Sequence, residues 1–167
     1  MPTGPAARIL DNVIHPLPPV LTPGPGSPNV LIGFLPAWRG VSAAAGAAVQ
    51  AANLAATTAI KVAEAATVAA AGIPIAGPAA YAAEQTLKAS MAASVGSMIT
   101  SMAGGADIHV CATPSPVPPH GPGVVIDGSQ TVLINNLSAC RMGDTVIEAI
   151  GPPNKIVKGQ MNVIIGG

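Results

Sequence analysis

A mainly β domain made of three short repeats about an approximate threefold axis, interrupted by an α-helical hairpin, is what the sequence predicts. Three observations predict it. A turn followed by a short apolar strand recurs three times, composition changes sharply near residue 40 and back near residue 107, and every histidine falls in the outer zones.

The 167 residues suffice for one ordinary domain plus an insertion. Net charge is zero and 8% of residues are charged, which excludes the basic face of an electrostatic nucleic-acid binder. Phe34, Trp38 and Tyr81 are the only aromatic side chains, so the core is thin or is held by something besides burial. The 19 glycines and 18 prolines point to many turns. Two cysteines, Cys111 and Cys140, are too few for a disulfide scaffold. Met1-Pro2-Thr3-Gly4 lacks the basic start and apolar run of a secretory signal. The expectation is synthesis in a reducing cytoplasm, with thiols available to a metal.

The repeat begins at Gly26-Ser27-Pro28-Asn29-Val30-Leu31-Ile32 and returns at Gly128-Ser129-Gln130-Thr131-Val132-Leu133-Ile134 and Gly159-Gln160-Met161-Asn162-Val163-Ile164-Ile165. Each copy is a turn leading into a β-branched or leucine-rich strand. A second element, Arg-x-x-Asp-x-Val-Ile, runs from Arg8 to Ile14 and from Arg141 to Ile147. A third copy is split, starting at Ala37-Trp38-Arg39 and resuming at Asp107-Ile108-His109-Val110-Cys111. Without residues 40–106 the glycines at 26, 128 and 159 lie 35 and 31 apart, leaving three near-equal units. None is large enough for its own core, but three about an axis share one. A single chain with three similar faces suits a homotrimeric partner, whose subunit edges each repeat would meet. Arg8, Arg39 and Arg141 are candidates to pair with Asp11, Asp107 and Asp144, an architectural role.

The predicted domains are 1–39 with 107–167 as one discontinuous β unit, and 40–106 as an insertion. Alanine-rich stretches predict helices over about Val41–Ala71 and Ala79–Met102, separated by Gly72-Ile73-Pro74-Ile75-Ala76-Gly77-Pro78. The uncharged run Val41–Ile60 has the length of a membrane span, but its alanines are nearly neutral toward lipid and Gln50, Asn53, Thr57 and Thr58 dilute it. A hairpin packed through small residues is the preferred expectation, and entry into a target membrane is the alternative.

The fourth residue after each repeat aspartate is His15, Cys111 or Glu148. His109, two residues before Cys111, faces the same side of a strand, and His120 lies in a matching loop before the next strand. The preferred ligand set is His15, His109, Cys111 and His120, around one structural zinc with no open coordination position. Glu148 is the rival fourth ligand. Cys140 stands at the position of Ala7 and Trp38 and is expected to be a small buried residue.

Pro5-Ala6-Ala7-Arg8, the Gly-Ser-Pro-Asn-Val strand start, Arg141-Met142-Gly143-Asp144 and Pro119-His120-Gly121 resemble the PAAR-repeat proteins, over residues 1–39 and 107–167. The resemblance implies a pseudo-threefold β cone (the PAAR fold) that caps the homotrimeric VgrG-type spike of a bacterial type VI secretion system. One copy per trimer would sharpen the needle for membrane puncture and help deliver effectors into target cells. It also implies a zinc near the apex held by histidine and cysteine, at His15, Cys111 and His120 with His109. Glu148 departs from the family pattern, which often has cysteine or histidine there, and iron is an alternative metal.

A structural role is expected rather than an enzymatic one. A zinc hydrolase would need an open metal position and a base, such as Glu148 beside a three-ligand ion, and no HExxH motif is present. The remaining alternative is a membrane-active effector, or an adaptor that binds an effector or chaperone, acting through residues 40–106.

Overall fold

The structure is a computed structural model and describes residues 2–14, 20–111 and 119–166. Its strands are short, as the density of glycine and proline dictates: β1 (Gly4–Ala6), β2 (Leu31–Ile32), β3 (Leu35–Pro36), β4 (Arg39–Gly40), β5 (His109–Cys111), β6 (Gly121–Val125), β7 (Leu133–Ile134), β8 (Leu137–Ala139), β9 (Thr145–Glu148), β10 (Asn154–Lys155) and β11 (Gln160–Ile165). Helices α1 (Ala43–Ala70) and α2 (Ala76–Met102) come between β4 and β5.

The largest sheet is antiparallel in the order β10-β9-β6-β5 and is strongly curled. Bridges continue it at both edges: Pro23 pairs with His109 of β5, Val20 with Asn12, and Val13 with Ile156 beside β10. The two edges therefore meet, and each segment of the ring is bridged to the next. Closing a sheet on itself leaves no long unpaired edge, which matters for strands this short.

Below the ring the chain repeats its own geometry. The Arg8 guanidinium donates to Asp11 from Nε (3.1 Å) and Nη2 (3.0 Å), and the Arg8 backbone N–H donates to the same carboxylate at 2.8 Å. Arg39 does the same with Asp107 at 3.0, 2.8 and 2.9 Å. Arg141 holds Asp144 from its backbone N–H at 2.7 Å and from Nε at 3.1 Å. All six side chains are buried. Burial pushes the Asp144 carboxyl up to about 6, against the pull of its hydrogen bonds from Arg141. The residues before the arginines close a three-membered loop of backbone hydrogen bonds: Ala7 N–H to Cys140 O (2.9 Å), Cys140 N–H to Trp38 O (3.1 Å) and Trp38 N–H to Ala7 O (3.0 Å).

The strands farther from the sheet repeat as well. Ser27 and Ser129 each accept a hydrogen bond on Oγ from the residue three ahead, Val30 at 3.1 Å and Val132 at 3.0 Å. The hairpins β2-β3 and β7-β8 turn through Gly33-Phe34 (φ 54° and 67°) and Asn135-Asn136 (φ 53° and 63°). Two successive positive φ values match the right-handed twist of the flanking strands, and glycine and asparagine tolerate them; Phe34 does so only under strain. Inside this layer Ile32, Ile134 and Ile165 pack with Ala6, Ala37 and Ala139.

Alanine favours α1 and α2 by propensity, and Ser42 caps α1 by accepting from the Ala45 N–H at 3.3 Å. The second helix starts three residues before the predicted Ala79. Pro78 sits in its first turn, where amide nitrogens have no acceptor within the helix, so proline starts a helix there rather than ending one. The hairpin lies on the outer face of the curled sheet. Val49 and Ala56 of α1 and Val95 and Ile99 of α2 share a core with Val124, Ile147 and Ala149. That contact breaks the repeat: Ile14 and Val110 are 54% and 44% exposed, whereas Ile147, at the same position, is fully buried.

Candidate metal centre

The site is built across three adjacent strands. In register, His109 of β5 lies opposite Gly123 of β6, and Gly123 lies opposite Glu148 of β9. Alternation on β5 buries His109 and Cys111 together and turns Val110 outward. Gly123 has no side chain, so those of His109 and Glu148 approach each other over it. A Cβ at Gly123 would stand 2.8 Å from Glu148 Cγ.

One donor atom each from His109, Cys111 and Glu148 lies within 4.8 Å of the other two, and all three residues are buried. His109 Nε2 is 3.3 Å from Glu148 Oε1, an ion-pair distance without hydrogen-bond alignment. Neither ring nitrogen of His109 has a hydrogen-bond partner among the described residues, although the side chain is 1% exposed. A buried imidazole in that state costs roughly 1–3 kcal/mol per unsatisfied group, and coordination of an ion relieves it. The nitrogen, sulfur and oxygen donors suit zinc, and the residues present fit a metal ion.

Of the sequence-predicted ligands, the structure brings His109 and Cys111 together in this cluster. His120 reaches the other oxygen of the same carboxylate, its Nδ1 lying 2.8 Å from Glu148 Oε2. Its ring packs over Gly151, where a Cβ would stand 3.1 Å from Nε2. His15 lies outside the described residues. Glu148, the rival ligand, sits inside the cluster; the signal for it was its repeat position, shared with Cys111 and His15. Cys140 is elsewhere, in a core with Ala7, Trp38 and Val146. Burial pushes its thiol well above the ordinary range, which keeps it neutral.

Asn53 of α1 is the residue that sequence reasoning missed. Its Nδ2 donates to the Glu148 carbonyl at 2.9 Å and to the Gly151 carbonyl at 3.2 Å. The insertion thereby holds the backbone of a candidate ligand. The helices come this close because Gly46 and Gly96 face the sheet: a Cβ would stand 3.0 Å from Ile126 O in the first case and 3.1 Å from Pro122 Cγ in the second. Asn53→Ala is expected to destabilise the protein by about 1–3 kcal/mol in urea unfolding, because the buried Glu148 carbonyl and the half-buried Gly151 carbonyl lose a donor. An unchanged unfolding midpoint would contradict this role.

The family model for the PAAR motif matches residues 116–167, a stretch that contains His120, β6 and Glu148. No curated protein and no solved structure matches the chain.

Proposed function

From the match of residues 116–167 to the PAAR-motif family model we propose that this chain is a PAAR-repeat protein whose β domain is a pseudo-threefold cone capping a homotrimeric VgrG-type spike of a type VI secretion system, one copy per trimer. Residues 1–39 and 107–167 form the cone, and residues 40–106 are the insertion on its flank. The observation that carries this proposal is the loop of backbone hydrogen bonds joining Ala7, Cys140 and Trp38, flanked by three like Arg–Asp pairs. Such a loop is what one chain needs to present three equivalent faces to three subunits.

The face that would meet the trimer is apolar. Leu31, Leu133 and Ile164 hold the same repeat position and are 63%, 56% and 61% exposed. Phe34 is 95% exposed on a backbone that an aromatic residue adopts at a cost, which favours a role outside the isolated chain. Beyond the β2-β3 and β7-β8 hairpins lie Arg39 and Arg141, whose partners Asp107 and Asp144 come just before β5 and β9, the strands that carry His109, Cys111 and Glu148. One structural zinc at that end is held by His109, Cys111 and Glu148, with the fourth donor from His120 or His15. A metal-braced point transmits contraction force onto a small membrane area and carries effectors with it. The role is structural, not enzymatic.

The test is co-purification with the trimeric spike. The triple variant Leu31→Glu, Leu133→Glu, Ile164→Glu changes only exposed positions, so it is expected to fold normally and to bind at least a hundredfold more weakly. Undiminished binding would refute the assigned face.

A further inference from the structure

The turn that follows β9 places two of the metal-site side chains at once. Glu148 is the last residue of β9, and its pairing with Gly123 is the last rung between β6 and β9. Pro122 on one side and Pro152 and Pro153 on the other have no N–H with which to extend that ladder. The carboxylate therefore projects from a strand end with backbone pairing behind it and none of that kind ahead. Three residues on, Gly151 has φ 96°, and a Cβ there would stand 3.1 to 3.2 Å from three atoms of the His120 ring. The ring thus lies directly on the backbone of the turn. The His120 carbonyl also accepts from the Ile150 N–H at 3.2 Å. One short stretch, residues 148–151, fixes both Glu148 and the imidazole that meets it at 2.8 Å.

Both ends of this stretch are held by one side chain. The two hydrogens on Asn53 Nδ2 go to the Glu148 carbonyl and to the Gly151 carbonyl. Asn53 is 5% exposed and shares the buried face of α1 with Val49, Ala56 and Ile60. Alternation along β9 sends Ile147 and Ala149 outward into the core with the helices, while Glu148 meets His109 on the other side. The hairpin is therefore seated on the same strand that carries the ligand. Since the insertion occurs once in the chain, the other two repeats have no counterpart of Asn53.

We infer that Asn53 is a positioning residue for the metal centre, and that through it the insertion sets the affinity for the metal. The inference rests on the reading that His109, Cys111 and Glu148 hold a zinc ion. With the turn fixed in advance, Glu148 and His120 are ordered before the ion arrives; without Asn53 that ordering must accompany binding. Loss of an outer hydrogen bond of this kind weakens metal binding roughly 10–100-fold. Linkage makes the effect mutual: if the seated hairpin favours the metal, the bound metal favours the seated hairpin by the same factor.

The experiment compares the full chain with two variants. Asn53→Ala removes both hydrogen bonds. Ile99→Val loosens the packing of α2 on the sheet and leaves the turn untouched. Asn53→Leu, close to asparagine in volume, replaces the alanine variant if circular dichroism shows the helices unseated. Zinc affinity is read by competition with a chromophoric chelator, and the coordination sphere by the visible absorption of the cobalt form. Asn53→Ala is expected to bind zinc roughly 10–100-fold more weakly and to shift the cobalt bands. Ile99→Val is expected to melt lower while keeping the affinity and the bands of the parent. Zinc should also slow hydrogen exchange of the α1 amides around Asn53 in the parent, and do so less in Asn53→Ala. Parent-like affinity and bands in the Asn53 variants, or an equal loss of affinity in Ile99→Val, would overturn the inference. Failure of the parent to bind either ion would overturn the metal reading itself and the inference with it.

Discussion

Cys111→Ser is expected to lower metal content and thermal stability together. Wild-type protein should carry one equivalent of zinc by elemental analysis, and the variant well under half of that. The effect is large because the ion would replace what the core lacks. Trp38 is the one buried aromatic residue, and much of the remaining core is alanine and valine. Structural zinc in small domains contributes on the order of 10 kcal/mol to folding. Losing one donor forfeits several kcal/mol of it, with a fall in melting temperature of well over 10 °C at the usual few degrees per kcal/mol. Glu148→Gln separates the donors further: it removes the charge from the cluster and keeps a hydrogen-bonding group for His120. It should weaken metal binding while leaving the chelated protein no less stable than chelated wild type. Unchanged metal content in Cys111→Ser would remove it from the ligand set.

Arg39→Met is the other substitution with a large expected effect, a loss of about 3–5 kcal/mol in urea unfolding. Asp107 is 1% exposed and takes three hydrogen bonds from Arg39, whose Nη2 also donates to the Gly26 carbonyl at 2.9 Å. Removing the guanidinium strands a buried carboxylate. The pair also closes the split repeat: Arg39 and Asp107 are 68 positions apart, whereas Arg8–Asp11 and Arg141–Asp144 are three apart. The double variant Arg39→Met, Asp107→Leu should regain part of the loss, because it leaves no charge unpaired. A loss under about 1 kcal/mol for the single variant would contradict this account of the repeat.

The repeats were legible because they are written in local chemistry. Gly33-Phe34 and Asn135-Asn136 sit at equivalent turns, β-branched residues fill the strands between, and each arginine finds its aspartate by a short backbone step or its split equivalent. Cys111 is marked by its repeat position, four residues after Asp107, and His109 by strand alternation relative to it. What was hidden depends on segments distant in sequence. Nothing near Ile147 says that it is buried while Ile14 and Val110 are not; that is decided by Val49, Ala56 and Ile99 arriving from the insertion. Asn53 looked like a polar residue diluting an apolar helix, and its purpose appears only where it meets the carbonyls of Glu148 and Gly151. Gly123 passed as one of many glycines, although its missing side chain is what lets His109 and Glu148 approach. The predicted start of α2 falls three residues late because proline ends a helix from its interior but is accepted in its first turn, where Pro78 sits.

A pseudo-threefold cone caps a trimer only if one chain imitates three partners. Native mass spectrometry of the complex with the homotrimeric spike measures this directly. The expected mass is that of three spike subunits and one copy of this chain, with one zinc. A complex with equal numbers of the two proteins, or no complex at micromolar concentration, would contradict it.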